Sequence, residues 1–517
     1  MNKQPRSCRI DSVAFFVFLG IALLAASLLG EFNPVQAQPP AALATAEIEN
    51  DDAPYLQQLL DSAPSGATVL LPARVYTLQR GLKIERSLTL QGLPGTVFHC
   101  SDASEPVFTI NPDGYGQAVS RVEDEELVSG QDRLRIADPE LFAGSSYGKV
   151  FDQQQIGSYL QGELVEIGSI QDQQLLLRQG LLADYRRDRQ AAVRPVRMLE
   201  RVAIRGIDFI GPGAERQRWL LSAFLVREFS FQQCRVSDFG SGALALTDCL
   251  DGDIGLSSFD TVFRTGLGYS IAVFNASDRI AIHDCSFTAG RHFIAAGASS
   301  GSYLNGGFPK TITVRNNFFS RSSEEAVNSH PPFAGPLIIT GNVFSDCGKG
   351  IEISNGQCRI QGNSFDRCQS GIELYGELTG PYLIEGNLFR DNGRSLKLSA
   401  DNLTVLGNYA VDSPAVIFSP TNLVFRHNTL ISADRTDDIP LNILGTLTAS
   451  GRTLLLQNNL IAGAAGACAV NLEFIEGVWL TDNTIANGGQ ICSRVVRNLR
   501  CARNLIEAQE QEFSASR

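Results

Sequence analysis

The sequence of 517 residues predicts an all-β fold, a right-handed parallel β-helix solenoid with an N-terminal capping helix and a small β-rich insertion. Three observations predict it. A motif centred on Asn recurs about every 25 residues. A segment that alternates apolar and polar residues follows each copy at a constant distance, and a short amphipathic helix precedes the first strands. Together they describe a chain that winds into stacked coils.

Residues 1–37 predict an export signal. Lys3, Arg6 and Arg9 form a positive region, residues 13–30 are an uncharged apolar run, and residues 35–37 fit the small-residue pattern before a signal peptidase cut. About 18 apolar residues are also enough to span a bilayer, so an uncleaved anchor is the alternative. No later stretch of the sequence is long and apolar enough to span, so the expected location is secreted, periplasmic or at the cell surface, without membrane contact after cleavage.

Residues 45–119 predict the cap and the first turns. Residues 51–61 have the apolar spacing of a short helix, with an Asp N-cap and Pro54 in its first turn. A β-helix needs such a plug because its first turn leaves a core and an open edge uncovered. The first strands are predicted at 68–72, 76–78 and 88–90.

This order of helix, strand, Leu-Pro and Tyr-x-Leu resembles the opening of bacterial members of the pectin-lyase-like superfamily, and the resemblance over roughly residues 45–506 implies their fold. Residues 120–195 break the repeat and are charged and Gln-rich. They predict a β-rich insertion, similar to those of phage-tail and secreted polysaccharide-active β-helices, that serves as a groove wall or accessory contact. Residues 196–506 carry the repeats, and residues 507–517 form a polar tail.

The repeat is clearest around Asn342, Asn363 and Asn387, each of which follows Gly and stands two residues before Phe. Counting the weaker copies, in which another residue can replace Asn, thirteen equivalent positions run from Asp208 to Asn504, and we call them the Asn slots. Their spacing is in the range of solenoid repeats. Each turn leaves backbone groups that only the next turn can satisfy. The slots therefore predict an Asn ladder with a rung about every 4.8 Å.

Composition excludes several kinds of protein. With 44% hydrophobic and 19% charged residues, most of the chain is predicted to be folded. The 43 Lys and Arg against 55 Asp and Glu argue against a nucleic-acid partner, whose affinity rests largely on neutralised phosphates. No Cys-x-x-Cys spacing occurs, and neither a metal nor a cofactor is predicted. Export permits disulfides, for which Cys468, Cys492 and Cys501 are the candidates.

A polar surface is predicted between about residues 290 and 400. Outward side chains of one turn stack over those of the next, so offsets from the Asn slot act as coordinates. These offsets place Val327, Glu352, Glu373 and Lys397 in one column, and His292, Glu324 and Lys349 in another. The expected substrate-binding residues are Glu324, Lys349, Glu352, Glu373 and Lys397.

Glu352 and Glu373 are predicted to lie about 5 Å apart on adjacent turns. Two carboxylates that close push one pKa up, which suits an acid paired with a nucleophile or base. A retaining glycosidase requires about 5–5.5 Å between them. A solvated charge ladder, relieved by Lys397, is the alternative.

His292, preceded by Arg291, and His330 are candidates for proton transfer, since imidazole titrates near neutrality. The alternatives are a strand cap at Arg291 and His292 and a corner residue without a catalytic task at His330. Their offsets differ by six residues, up to about 20 Å of extended chain, so the two rings are not expected to share one substrate atom.

Residues 326–332, followed by the apolar 337–339 and Asn342, resemble the catalytic segment of β-helical mannuronan C5-epimerases. In that family a His within Asp-Pro-His-Asp precedes an apolar strand and Asn by nearly the same spacing. His330 takes the position of that His, while Asn328 and Pro331 stand where the family has Asp. The Arg291-His292 and His330 pair is also similar to that of phage and bacterial β-helices presumed to act on polysaccharide.

The resemblance implies proton abstraction next to a uronate carboxylate. Arg291 or Lys349 would screen the carboxylate, and His330 would take the C5 proton. Tyr375 or His292 would return a proton to C5, giving an epimerase, or protonate the leaving 4-oxygen, giving a lyase. The expected partner is a polysaccharide. Two other interpretations are a glycoside hydrolase that uses Glu352 and Glu373 and a non-catalytic wall-binding or adhesive protein.

Overall fold

The computed structural model describes residues 51–156, 159–213, 215–263, 266–297, 305–330, 335–354, 356–375, 380–432, 438–445, 451–464, 467–487 and 489–506. The predicted export signal and polar tail lie outside these ranges. The described chain winds as a parallel solenoid with three strands per turn, and we number its three faces in chain order. Among the described residues, no helix has the length and apolar character needed to cross a membrane.

Face 1 comprises Ala67–Leu71, Leu88–Gly92, Leu199–Arg205, Val226–Gln232, Asp253–Gly255, Ile280–His283, Ile312–Arg315, Leu337–Thr340, Cys358–Gln361, Tyr382–Glu385, Leu403–Leu406, Thr421–Arg426, Gly451–Gln457 and Arg500–Ala502. Face 2 comprises Val75–Leu78, Val97–Cys100, Asp208–Gly213, Arg235–Phe239, Ser258–Asp260, Ser286–Thr288, Phe318–Ser320, Val343–Ser345, Ser364–Asp366, Leu388–Arg390, Tyr409–Val411, Thr429–Ile431, Leu460–Ala462, Thr484–Ala486 and Leu505–Ile506. Face 3 comprises Leu82–Ile84, Phe108–Ile110, Trp219–Phe224, Gly242–Thr247, Tyr269–Phe274, His292–Gly297, Glu325–Ser329, Lys349–Ser354, Ser370–Tyr375, Leu396–Ser399, Ala415–Phe418 and Leu441–Leu444. The strands Cys468–Thr481 and Gln490–Arg497 run from face 3 onto face 1.

Inward side chains of the three faces form one continuous apolar core. Its most regular part is a stack of Phe rings on face 2, one per turn, with neighbouring centroids 4.7–4.9 Å apart. The rings belong to Phe287, Phe319, Phe344, Phe365 and Phe389. Because the stacking distance matches the rise per turn, the core holds each turn in fixed register with the next.

The predicted Asn ladder is confirmed. Asn342 Nδ2 donates to Asn363 Oδ1 at 2.9 Å, and Asn363 Nδ2 donates to Asn387 Oδ1 at 3.0 Å. The rungs are Asn317, Asn342, Asn363, Asn387, Asn408, Asn428, Asn459, Asn483 and Asn504. Two of the thirteen predicted positions, Asp208 and Ser258, are wrong by one residue. Asp208 pairs with Arg235, the residue after Cys234, and Ser258 pairs with Ser286, the residue after Cys285.

The predicted capping helix is present as α1, Ala53–Ser62, and buries Ala53, Leu56 and Leu60. Its N-cap Asp52 makes no cap hydrogen bond with its side chain. The Asp52 carboxylate instead accepts from the Thr77 amide at 2.8 Å, while Asp51 Oδ1 accepts from the Ala53 amide at 3.0 Å. Asp51 Oδ1 also accepts from the Gln79 amide at 3.1 Å, so both carboxylates connect the helix to the first turn.

The predicted insertion contains its own antiparallel strands, Ser120–Arg121, Glu126–Leu127, Arg133–Arg135, Tyr147–Ile156, Tyr159–Gln171, Gln174–Leu177, Tyr185–Arg186 and Ala192–Val196, and the 3₁₀ helices Pro139–Phe142 and Arg187–Arg189. The insertion does not interrupt the stacking of face 1, since the strand Leu88–Gly92 before it pairs directly with the strand Leu199–Arg205 after it. The insertion is tied to the solenoid by a fully buried ion pair between Lys149 and Asp248, and Tyr115 Oη donates to the same carboxylate at 2.5 Å.

Of the three cysteines predicted as disulfide candidates, Cys468 and Cys492 are bonded to each other and Cys501 is free and exposed. The bridge joins the two strands that cross from face 3 to face 1. It covalently links adjacent turns near the C-terminal end of the described solenoid.

Candidate functional site

Face 3 brings most of the predicted polar residues together. Its register pairs Glu352 with Glu373 and Glu373 with Lys397, one turn apart. This confirms that the two carboxylates are stacked neighbours. Their strands alternate inward Ile or Leu with outward polar residues, so the core fixes which side chains face out.

Two column positions are wrong by one residue. Asn328, not Val327, pairs with Glu352, and Glu325, not Glu324, pairs with Lys349. Val327 is buried in the core. The cause is an extra residue between the rung Asn317 and this strand, since all later side chains of the strand shift along the pleat by one position.

Lys349 is the centre of a carboxylate cluster. Its Nζ lies 2.8 Å from Glu325 Oε1 and 3.5 Å from Glu373 Oε2, and it also contacts Glu352. Lys397 Nζ lies 3.5 Å from Glu373 Oε2 and donates to Tyr375 Oη at 2.5 Å. Glu373 also accepts a hydrogen bond from Tyr375.

These contacts shift the pKa values of the stacked carboxyl groups of Glu352 and Glu373 in opposite directions. Burial, reinforced by Glu325 and Glu373, raises the pKa of Glu352 in spite of its contact with Lys349. Burial acts against Glu373 too, but the hydrogen bond from Tyr375 and the charge of Lys349 lower its pKa. Burial and the hydrogen bond to Glu373 raise the pKa of Tyr375, so its phenol stays protonated near neutrality.

His292 is held on three sides at the start of its strand and is 1% exposed. Its Nδ1 lies 3.1 Å from Glu325 Oε2, and its Nε2 lies 3.4 Å from Glu324 Oε2. Its ring stacks on Tyr269 with a centroid distance of 5.5 Å. Burial opposes it, but hydrogen bonds from His292 and Lys349 hold the pKa of Glu325 far below its ordinary value. Glu325 thus orients both the imidazole and the ammonium.

His330 lies beside His292, contrary to the predicted separation. The two ring centroids are 6.0 Å apart. The register column next to them contains Ala272, Ala295 and Asn328, so two of its three side chains are single methyl groups. His330 Nε2 is buried and has no hydrogen-bond partner among the described residues. Burial, and then the charges of His292 and Arg291, lower the pKa of His330.

Arg291 completes this part of the site. Its Nη2 lies 2.9 Å from Glu324 Oε2. Within the described chain its buried Nε and Nη1 make no hydrogen bond. Buried donors without partners cost free energy, so a polar ligand that reaches them is stabilised. The site therefore combines a neutral imidazole with an incompletely paired guanidinium.

Sequence reasoning missed Glu325 and three aromatic residues, Trp219, Tyr269 and Tyr159. Tyr269 contacts both imidazoles, since its ring centroid is also 6.4 Å from that of His330. Burial and the nearby phenol of Tyr269 raise the pKa of Tyr159, which belongs to the insertion. The insertion therefore reaches the edge of the site. For Trp219 and Tyr269 the sequence does contain a signal, because each is an aromatic residue that begins a face 3 strand.

His292, Glu324 and Glu325 place one potential ligand atom each within 4.8 Å of the others, a spacing that a metal ion can bridge. Arg291 and Lys349 already contact these two carboxylates. A divalent ion at this point would have to compete with both cations for the same oxygens.

Comparison with known proteins agrees with the architecture. Residues 227–430 match the family model described as right handed beta helix region. No curated protein matches the sequence. The fold is thus a right-handed parallel β-helix, as the sequence predicts.

Solved structures similar to this chain include two phage tailspikes and an enzyme. The tailspike of Acinetobacter baumannii bacteriophage AP22, in complex with a capsular saccharide, has 11% identity and a TM-score of 0.48 over 87% of this chain and 76% of its own. The tailspike of Pseudomonas phage LKA1 has 14% identity and a TM-score of 0.47 over 88% and 72%. The A-module of a mannuronan C-5 epimerase from Azotobacter vinelandii has 12% identity and a TM-score of 0.41 over 89% and 96%.

Proposed function

We propose that this protein is exported and acts on a uronate-containing polysaccharide as a lyase or C5-epimerase. The observation that carries the proposal is the contact between His330, whose Nε2 has no partner in the described part of the chain, and His292, with the guanidinium of Arg291 beside both. Proton abstraction next to a carboxylate requires a neutral base, a proton donor and a cation that screens the carboxylate. These three groups supply those roles.

In the proposed reaction, the substrate carboxylate binds the free edge of Arg291 and loses some of its charge repulsion towards the C5 carbanion. His330 Nε2 takes the C5 proton. The lowered pKa of His330 supports this role, because the ring is neutral over most of the physiological range. His292 delivers a proton either to C5 or to the leaving 4-oxygen.

His292 suits the donor role better than Tyr375. The Tyr375 hydroxyl is already engaged by Glu373 and Lys397, and burial together with Glu373 raises its pKa, which makes it a weak acid. Lys349 is likewise held by three carboxylates. We therefore assign Lys349, Glu352, Glu373 and Lys397 to substrate binding and to the shape of the groove.

The test is turnover of alginate and polygalacturonate by the His330→Gln variant. Formation of unsaturated uronate is followed by absorbance, and exchange of solvent deuterium into C5 is followed by NMR. We expect His330→Gln to lower either rate by about 10²–10⁴-fold. His99→Gln, an exposed histidine on face 2, is the matched control and should leave the rate unchanged. Full activity of His330→Gln would refute the proposal.

Glycoside hydrolysis is the second candidate, favoured by the opposite pKa shifts of Glu352 and Glu373 on adjacent strands. A retaining glycosidase uses two neighbouring carboxyl groups whose pKa values are pushed apart, one as acid and one as nucleophile. Release of reducing ends that is lost in Glu352→Gln and Glu373→Gln, but kept in His330→Gln, would favour this candidate. Binding of polysaccharide without either reaction would leave the adhesive function.

A further inference from the structure

We infer that the saccharide extends from the histidines towards the N-terminal end of face 3, where Trp219 and Tyr269 form a subsite for the apolar face of a sugar ring. This inference rests on the proposed function, because it takes a polysaccharide as the ligand. The inference goes further in three respects. It gives the direction in which the saccharide lies on face 3, it names the residues that bind a sugar unit away from the reacting atoms, and it requires the substrate to be an oligomer.

The aromatic residues share a column with His292. The register pairs Trp219 with Gly242, Gly242 with Tyr269, and Tyr269 with His292. The rings of Trp219 and Tyr269 are within 10° of parallel and their centroids are 6.2 Å apart, although a whole turn separates them. Both side chains are partly exposed. An aromatic row therefore leads directly into the histidine site.

Gly242 makes this row possible. A Cβ at position 242 would lie 2.3 Å from a ring atom of Trp219, which no real contact permits. The indole therefore lies over the backbone of Gly242 and bridges the turn towards Tyr269. Glycine is required here for space, since it does not adopt a left-handed conformation at this position.

The chemistry of the row differs from that of the ionisable cluster. A pyranose presents one face of C–H groups, which packs on an aromatic π-system, and partly exposed indole and phenol rings offer such contact at low entropic cost. Trp219 and Lys349 are five turns apart in the column, or about 24 Å. A ligand that touches the aromatic row and the charged cluster must therefore contain several sugar units.

The two Trp residues of the chain allow a clean experiment. Trp479 lies on face 1 with 51% exposure, next to Arg500, and is remote from the row in the register. In the Trp479→Phe protein, Trp219 is the sole indole, and its fluorescence is titrated with oligomannuronates and oligogalacturonates of graded length. We expect long oligomers to change the emission and dimers to leave it unchanged.

Affinity of the long oligomers is then compared between variants by calorimetry. Trp219→Ala should weaken binding on the order of tenfold, the effect of losing one stacked ring. Gly242→Val should act like Trp219→Ala because it displaces the ring, and Trp479→Ala should bind normally. Unchanged affinity in Trp219→Ala and Gly242→Val, or no response of Trp219 to any oligomer, overturns the subsite.

The outcome for the subsite is separable from that for the reaction. His330→Gln should keep the fluorescence response of Trp219 while it loses turnover. If Trp219→Ala binds normally and His330→Gln is inactive, the subsite is wrong and the proposed reaction stands. If Trp219→Ala binds weakly and His330→Gln is active, the subsite stands and the reaction is wrong.

Discussion

Replacing Lys349 by Met should expose how strongly the carboxylates of face 3 depend on one ammonium group. The Nζ atom contacts Glu325, Glu352 and Glu373 together. Met keeps most of the volume of the Lys stem but removes its charge. In the variant three partly or fully buried carboxylates face one another without the ammonium that they share, while His292 still contacts Glu325 and Lys397 still contacts Glu373, so the folded state loses stability wherever the carboxylates are ionised.

The size of the loss follows from the distances. At an effective dielectric constant of about 20, a charge pair 4 Å apart is worth about 4 kcal/mol before desolvation. Removing one partner of a buried pair costs about 3–5 kcal/mol net. The Lys349 side chain is 29% exposed, which screens part of this interaction, so we expect about 3 kcal/mol. Lys397→Met is the matched control: Lys397 is 30% exposed but contacts one carboxylate among the described residues, at 3.5 Å, so about 1 kcal/mol is expected.

The loss should depend on pH with a fixed sign. Glu325 and Glu373 have folded pKa values below their ordinary range, so they stabilise the fold above the unfolded pKa of about 4.3 and lose that contribution as the pH falls. Glu352 acts in the opposite direction, because its raised pKa costs stability once it ionises. Without Lys349 the first contribution shrinks and the second cost grows. The gap between variant and parent is thus largest near neutrality and narrows below about pH 4.

Urea unfolding at pH 7.5 and pH 4 measures this gap, because urea, unlike guanidinium, does not screen charges. We expect the free energy of unfolding of Lys349→Met to fall well below that of Lys397→Met at pH 7.5, and the two to approach each other at pH 4. Equal losses in the two variants at pH 7.5, or a gap that does not change with pH, would refute the assigned role of Lys349.

Three further predictions concern the base, the ladder and the insertion. The rising limb of the wild-type pH–rate profile should have its midpoint below the ordinary histidine pKa of about 6.5, because burial lowers the pKa of His330; a rising limb with its midpoint above pH 7 would contradict the role of His330 as the base. Asn363→Ala removes the donor and acceptor of a fully buried rung and should cost about 2–4 kcal/mol in urea unfolding, whereas the adjacent Ser364→Ala should cost less than about 0.5 kcal/mol. Asp248→Asn leaves the buried ammonium of Lys149 without its counter-charge, so limited proteolysis should cut the insertion faster while the solenoid stays intact; equal cutting rates would show that the ion pair does not hold the insertion.

The fold and the column that contains Glu352 and Glu373 were predictable from the sequence because the repeat is regular over those turns. The rungs Asn342 and Asn363 are 21 residues apart, and the carboxylates Glu352 and Glu373 are also 21 residues apart. Equal spacing of a buried rung and an outward side chain means that no residue is gained or lost between them. Counting from the rung then gives the correct neighbour, and the alternation of apolar and polar residues gives the correct face.

The aromatic row and the position of Tyr159 follow from information that counting does not contain. Trp219 meets Tyr269 because the turn between them has Gly242 in place of a side chain, and this depends on the packing of three turns at once. Tyr159 lies near enough to Tyr269 for the two phenols to influence each other, and it belongs to the insertion that the buried Lys149 and Asp248 tie to the solenoid. Neither contact has a period in the sequence, so neither could be found by extending the repeat.

The histidine site arises where the repeat is least regular. Cys285 bonds to Asn317 across 32 residues and Asn317 to Asn342 across 25, whereas the next rungs are 21 and 24 residues apart. The additional residues sit around the strands that carry His292 and His330, and one of them shifts Glu325 onto the imidazole and the ammonium. Since side chains alternate between the two faces of a strand, the same turn without that residue would point Glu325 and His330 away from their present partners. The site therefore depends on the departure from the repeat, and the regular turns on either side supply the rigid support that holds it.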